Sequence, residues 1–170
     1  MLKCLIHLSS TFALCSFVAS LQAAPRSIVD TTSELELISA DFELADGPAW
    51  DGSAFLYFPD VKGGKLHRYN PRSKKVEVVM ADAGRISASY YNHGKLFLSD
   101  NGNSGIAWLK GREKVAIAGQ DPNAKPPARP NDLVVDKHGG VFYTLTRQGQ
   151  VIYIDRKGKQ SVAGEKIETP

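Results

Sequence analysis

From about residue 43 onward, short apolar runs alternate with clusters of turn-forming residues. Leu56-Tyr57-Phe58, Leu96-Phe97-Leu98 and Val141-Phe142-Tyr143 hold equivalent places, 40 and then 45 residues apart. A second set follows at the same offsets: Leu66-His67-Arg68-Tyr69, Ile106-Ala107-Trp108-Leu109 and Val151-Ile152-Tyr153-Ile154. A third set comprises Val76-Glu77-Val78-Val79, Val115-Ala116-Ile117-Ala118 and Gln160-Ser161-Val162-Ala163. Between them lie Gly63-Gly64, Asn70-Pro71, Asn92-His93-Gly94, Asn101-Gly102, His138-Gly139-Gly140 and Lys157-Gly158. Turns this frequent leave few windows long enough for a helix, and none carries a helical apolar stripe. The pattern predicts an all-β chain built from a four-stranded unit repeated about every 40–45 residues, the period of a β-propeller blade. Three such units do not close a ring. The expectation is a partial propeller of about three blades, the N-terminal half of a protein roughly twice as long, with the apolar face of its last blade left open.

Residues 1–23 read differently. Lys3 supplies a positive start, an apolar run follows over residues 4–21, and small residues end it near Ala23. Polar interruptions make the run too poor for a membrane span, so the expected organisation is a signal peptide at 1–23 and half-propeller at 24–170, secreted or periplasmic. Both cysteines, Cys4 and Cys15, fall in that segment. The remainder therefore has no disulfide, thiolate ligand or cysteine nucleophile. The net charge of +3 is small and dispersed, which argues against a nucleic-acid partner.

Two turns carry candidate chemistry. Asp46 stands in Ala45-Asp46-Gly47-Pro48-Ala49-Trp50, just ahead of the first repeated strand. Arg129-Pro130-Asn131-Asp132-Leu133 stands at the corresponding place before the third. Oxygen-bearing side chains at the mouths of successive blades are suited to one shared cavity. The intervening residues 119–130 are proline-rich, and read either as an exposed connection or as a rim loop that presents Arg129 and Asn131. Asp100-Asn101-Gly102-Asn103 reads as a hairpin turn, because its glycines fall where a calcium loop needs oxygen ligands. No serine-esterase elbow, phosphate loop or dinucleotide fingerprint is present. Trp50, Trp108 and the tyrosines fall on strands and read as blade core, with Tyr90-Tyr91 as an alternative lining of the mouth.

These two turns, with Leu56-Tyr57-Phe58-Pro59-Asp60 after the first and Val135-Asp136, Gly139-Gly140 and Thr144 after the second, resemble the signatures of the senescence-marker-protein, gluconolactonase and luciferin-regenerating-enzyme family. The resemblance runs from about Leu35 to the end of the chain. It implies a six-bladed propeller with one divalent ion at its axis (calcium first, with zinc, magnesium or manganese as alternatives) and hydrolysis of a lactone of the sugar-lactone type. The small-molecule partner is then a lactone or sugar acid. Asp46 takes the place of the family's first metal ligand, a glutamate, so its reach is one methylene shorter; the competing reading is an aspartate that caps its own turn. Arg129 and Asn131 match substrate-contacting positions. An acidic substrate contact expected after the next strand is not matched by Thr146-Arg147-Gln148. The remaining metal ligands, and the catalytic base with them, are expected beyond Pro170, so the chain is expected to be incomplete as an enzyme and to pair with the missing half. A non-catalytic ligand-binding propeller and a degenerate fragment stay open as alternatives; a strictosidine-synthase-like propeller lacks the early carboxylate turn.

Overall fold

The computed structural model of the chain describes residues 29–168, apart from Pro122 and Pro126; the segment read as a signal peptide lies outside them. The chain divides into two units, 1–36 and 37–170. Of the first, the described part is a turn in which the Asp30 carboxylate accepts hydrogen bonds from Thr32 N, Thr32 Oγ1 and Ser33 Oγ. The Ser33 and Thr32 hydroxyls, with the Thr32 N–H, lower the Asp30 pKa to about 2.

The second unit holds three antiparallel four-stranded sheets. Blade 1 comprises β1 (Ala49–Trp50), β2 (Leu56–Asp60), β3 (Lys65–Asn70) and β4 (Lys75–Met80). Blade 2 comprises β5 (Ala88–Asn92), β6 (Lys95–Asp100), β7 (Gly105–Lys110) and β8 (Glu113–Gly119). Blade 3 comprises β9 (Leu133–Val135), β10 (Val141–Leu145), β11 (Gln150–Ile154) and β12 (Gln160–Gly164). Strands follow one another in order within each sheet, as in a propeller blade. Among the described residues the only helical pieces are single 3-10 turns, Asn101–Asn103 and Thr146–Gln148, each leading out of the second strand of its blade. The first of these forms the hairpin connection expected at 100–103, between Asp100 of β6 and Gly105 of β7. Every blade carries an irregularity between its third and fourth strands at the same place, beside Leu66/His67, Ile106/Ala107 and Val151/Ile152. The sequence period is thus also the period of the backbone distortion, and bulges of this kind bend and twist the outer strand.

Alternation along the strands gives each blade two faces, and the faces pack blade against blade. Ala49 and Leu66 of blade 1 meet Ile86, Leu96 and Leu98 of the second unit's middle sheet and its approach, with Ala83 between them. On the other side of blade 2, Ala88, Phe97 and Ile106 meet Leu133, Val141, Tyr143, Leu145, Ile152 and Ile154 of blade 3. Leu66, Ile86 and Leu98 have no exposed surface. Each such side chain contributes on the order of 1.5–3 kcal/mol through burial, so these two seams hold the sheets together. Polar stitches add direction to the second seam: the Tyr143 hydroxyl donates to Gln160 Oε1 at 2.6 Å, and Gln120 Nε2 donates to the same oxygen at 3.0 Å.

The outward faces of the end blades are the exposed ones. On blade 3, Val134 is 45% exposed, and Val134, Phe142, Thr144 and Val151 of that face line a shallow cavity of about 170 Å³. On blade 1, Trp50 is 46% exposed. The expectation that it is core does not hold: β1 has only two residues, and alternation sends Ala49 into the seam and Trp50 to the opposite side. On the same face Phe42, Phe58 and His67 form a ring cluster with centroids 5.0–5.4 Å apart. Among the described residues no helix is long and apolar enough to cross a membrane.

Candidate functional site

The first strands of the three blades, β1, β5 and β9, lie next to one another and form the inner edge of the array. The residues that lead into them are fixed by one repeated backbone hydrogen bond. Asp46 N donates to Pro59 O at 3.2 Å, Ser87 N to Ser99 O at 3.0 Å, and Asn131 N to Thr144 O at 3.0 Å. Pro59, Ser99 and Thr144 occupy the same register position on β2, β6 and β10, opposite Leu66, Ile106 and Val151. Asp46, Ser87 and Asn131 are therefore equivalent residues of three successive blades, at one end of the inner edge.

Ser87 and Ser89 connect the flanking turns. Ser89 donates to Gly47 O from both its N–H, at 3.0 Å, and its hydroxyl, at 2.6 Å. Ser87 Oγ donates to Asn131 O at 2.6 Å and lies 3.2 Å from Pro130 O, while Asn101 Nδ2 donates to Pro130 O at 2.8 Å. Two residues of extended strand span about 7 Å, so the Asp46 turn and the Arg129–Asn131 turn are held within a short reach of each other. Gly47 makes the first approach possible. Its φ is +47°, and a Cβ there would lie 2.4 Å from Ala88 Cα; only glycine fits.

The side chains predicted from sequence stand as follows. Asp46 is exposed, and its Oδ1 accepts the Gly47 N–H at 2.8 Å. That is the turn-capping contact left open above, made with one carboxylate oxygen. Arg129 and Asn131 are exposed, while Ala128 and Pro130 beside them are buried. Residues 128–130, at the end of this stretch, are thus anchored: Ala128 is buried and Pro130 O accepts from Asn101. Asp132 Oδ1 accepts Leu133 N at 2.7 Å and its backbone N donates to Thr144 Oγ1 at 3.1 Å, which seats the turn on β10. Tyr90 and Tyr91 do not line the mouth. Tyr90 packs into the seam with blade 3, and Tyr91 stacks on Tyr57 in the seam with blade 1, with ring planes 7° apart.

Just behind the mouth, Asp60 organises the entry to blade 1. Its buried carboxylate accepts Leu44 N at 2.9 Å, Gly63 N at 3.1 Å and Glu43 N at 3.2 Å. Burial pushes this carboxyl up, but the N–H groups of Leu44, Gly63 and Glu43, with His67 nearby, outweigh it and hold the pKa below the ordinary value. In blade 2 the equivalent Asp100 pairs instead with Lys114 Nζ at 2.8 Å, and that ammonium also donates to Ala83 O at 2.8 Å.

Among the described residues no group of three or more His, Cys, Asp or Glu side chains is placed to hold a metal ion. Asp46 offers one carboxylate and Asn131 one amide oxygen, well short of the roughly six to eight oxygens that calcium takes. These residues by themselves do not fit a divalent ion.

Residues 44–169 match the family described as the SMP-30/gluconolactonase/LRE-like region. The chain belongs to this family. Solved structures of similar fold include a structural-genomics protein described as a gluconolactonase, at 15% identity and TM-score 0.72, which covers 83% of this chain and 55% of that one. A gluconolactonase from Xanthomonas campestris matches at 16% identity and TM-score 0.66, with 75% and 50% covered. A luciferin-regenerating enzyme matches at 21% identity and TM-score 0.58, with 75% and 47% covered. The chain thus spans about half the length of these structures. No curated protein matches it significantly. Within this gluconolactonase-family chain, Ser87, Ser89 and Asn101 were missed from sequence. Their signal is positional: Ser87 precedes Ser99 by almost the interval that separates Asp46 from Pro59 and Asn131 from Thr144.

Proposed function

We propose that the protein to which this chain belongs hydrolyses a lactone of the sugar-lactone type, and that this chain supplies the substrate-positioning part of the site. The observation that supports the reading most is the convergence of Asp46 and Asn131, at equivalent blade positions, on one end of the inner edge, in a chain of the gluconolactonase family. In the reaction, water adds to the lactone carbonyl carbon and the ring C–O bond breaks, leaving a hydroxy acid. Arg129 donates from its planar guanidinium to a hydroxyl or carbonyl oxygen of the ligand, and the Asn131 amide holds a second polar group, which orients the ring for attack. No described residue is assigned as the base. Dependence on one divalent ion, calcium before zinc, magnesium or manganese, with Asp46 as one ligand, belongs to the same proposal and needs ligands that the described residues do not provide. Export from the cytoplasm is proposed on the pattern of residues 1–23.

The test is acid release from glucono-δ-lactone by the protein to which this chain belongs, followed with a pH indicator, with and without each ion. Metal-stimulated turnover that is lost in Asp46→Ala, with a raised KM in Arg129→Ala, is expected; turnover unchanged by both substitutions overturns the assignment. A non-catalytic ligand-binding propeller is the second reading. The engagement of Asp46 Oδ1 by its own turn favours it, and saturable sugar-acid binding without turnover is its signature.

A further inference from the structure

The mouth carries more positive charge than the proposed reaction on a neutral lactone uses. Arg85 and Arg129 stand two residues ahead of Ser87 and Asn131, so they are equivalent residues of blades 2 and 3. Blade 1 has Leu44 at that place. Leaving the second strand, the equivalent residues are Lys62, Gly102 and Arg147, two beyond Asp60, Asp100 and Leu145. Lys62, Arg85, Arg129 and Arg147 are all exposed, and among the described residues their side chains form no ion pair or hydrogen bond. The nearest carboxylates are committed elsewhere: Asp46 and Asp132 each face the N–H of the following residue, and Asp60 and Asp100 are buried in the contacts described above. The exposed acids nearby are Glu43, Asp82 three residues ahead of Arg85, and Glu168 beside the Ile167 N–H that donates to Gly149 O, and among the described residues none of them is paired with these arginines.

The backbone holds these cations at one end of the array. Gly102 N donates to Arg85 O at 2.9 Å, and Asn101, its neighbour, donates to Pro130 O beside Arg129. Gly102 itself leaves room for Arg85, since a Cβ there would lie 3.3 Å from Arg85 N and 3.4 Å from Arg85 Cβ. Arg147 lies in the 3-10 turn that follows β10, three residues beyond Thr144, whose carbonyl fixes Asn131. Guanidinium groups are suited to bidentate contact with planar oxyanions and stay charged at any working pH.

We infer that Arg85 and Arg147 act with Arg129 as a specificity-determining rim, and that the ligand is anionic: a sugar lactone or sugar acid bearing a carboxylate or phosphate away from the reacting carbonyl. The inference takes the mouth as the ligand site, as proposed above, but it does not depend on turnover. It is tested by equilibrium titration of the full chain in metal-free buffer with glucarate, 6-phosphogluconate and uncharged glucitol. A charged contact of this kind is worth about tenfold in affinity. Glucarate or 6-phosphogluconate is therefore expected to bind at least about tenfold more tightly than glucitol, with a preference that declines as salt rises. The better of the two acids identifies carboxylate or phosphate as the preferred group. In Arg85→Gln/Arg147→Gln the preference should fall toward unity while the thermal midpoint stays in place, because both side chains are exposed. Equal binding of acids and glucitol, binding of none of them, or a preference that survives the double substitution overturns the inference. Loss of lactone hydrolysis alone removes the catalytic reading and leaves the binding ratio untouched.

Discussion

Gly47→Ala separates two costs that are usually confounded. Gly47 has φ +47°, and a methyl group on its Cα would meet Ala88 Cα at 2.4 Å and Ala88 Cβ at 2.9 Å. Gly52 has φ +82° and nothing within 4 Å of the same methyl position. Both substitutions place an L-residue in the left-handed region, which costs about 1–2 kcal/mol. Both restrict the unfolded chain by the same small amount, so that contribution cancels between them. Gly47→Ala alone forces β5 away from the Asp46 turn, and overpacking of this kind costs about 1–3 kcal/mol more. Gly47→Ala is therefore expected to lose about 2–5 kcal/mol and Gly52→Ala about 1–2 kcal/mol. Urea unfolding of the two variants and the parent, followed by far-ultraviolet circular dichroism, measures the difference. Equal losses would show that Gly47 is required only for its dihedral angle, and that the close approach of the Asp46 turn to blade 2 is not a constraint.

His67 is buried between aromatic rings with neither ring nitrogen hydrogen-bonded, and burial lowers its pKa, opposed in part by Asp60. The unfolded chain then binds the proton more tightly, so stability is full above the ordinary value of 6.5 and is lost as pH falls through the lowered pKa; urea midpoints at pH 7.5 and pH 5 should differ in the parent and differ less in His67→Phe. Lys114→Met leaves the Asp100 carboxylate buried without its cation, with Oδ1 already lacking a partner, and should cost about 3–5 kcal/mol in chemical denaturation; Lys114→Met combined with Asp100→Leu should recover part of that loss.

The blades were legible because the same signal recurs three times. A buried second strand, as in Leu96-Phe97-Leu98, repeats at a fixed interval, and the third-strand bulges at Leu66, Ile106 and Val151 keep that interval. Trp50 was misread because residue type gives hydrophobicity but not facing, and a two-residue strand offers too little alternation to decide it. In the site, Asp46 and Asn131 stood out through their Gly-Pro and Pro-Asn turns. Ser87 did not, since Gly84-Arg85-Ile86-Ser87 carries no such turn chemistry and its hydroxyl works on backbone carbonyls of blade 3. Arg85 and Arg147 were hidden for a related reason: their common rim exists only once the strand registers are known.

Ser87 reaches toward blade 3 and Ser89 toward blade 1 from one short stretch of chain. The two turns they hold therefore share a single mechanical support, and energetic effects at those turns should not combine as independent quantities. Redesign of this mouth for a new ligand has to treat residues 46–47, 87–89 and 129–131 as one cooperative element, because an adjustment made at either flank will be felt at the other.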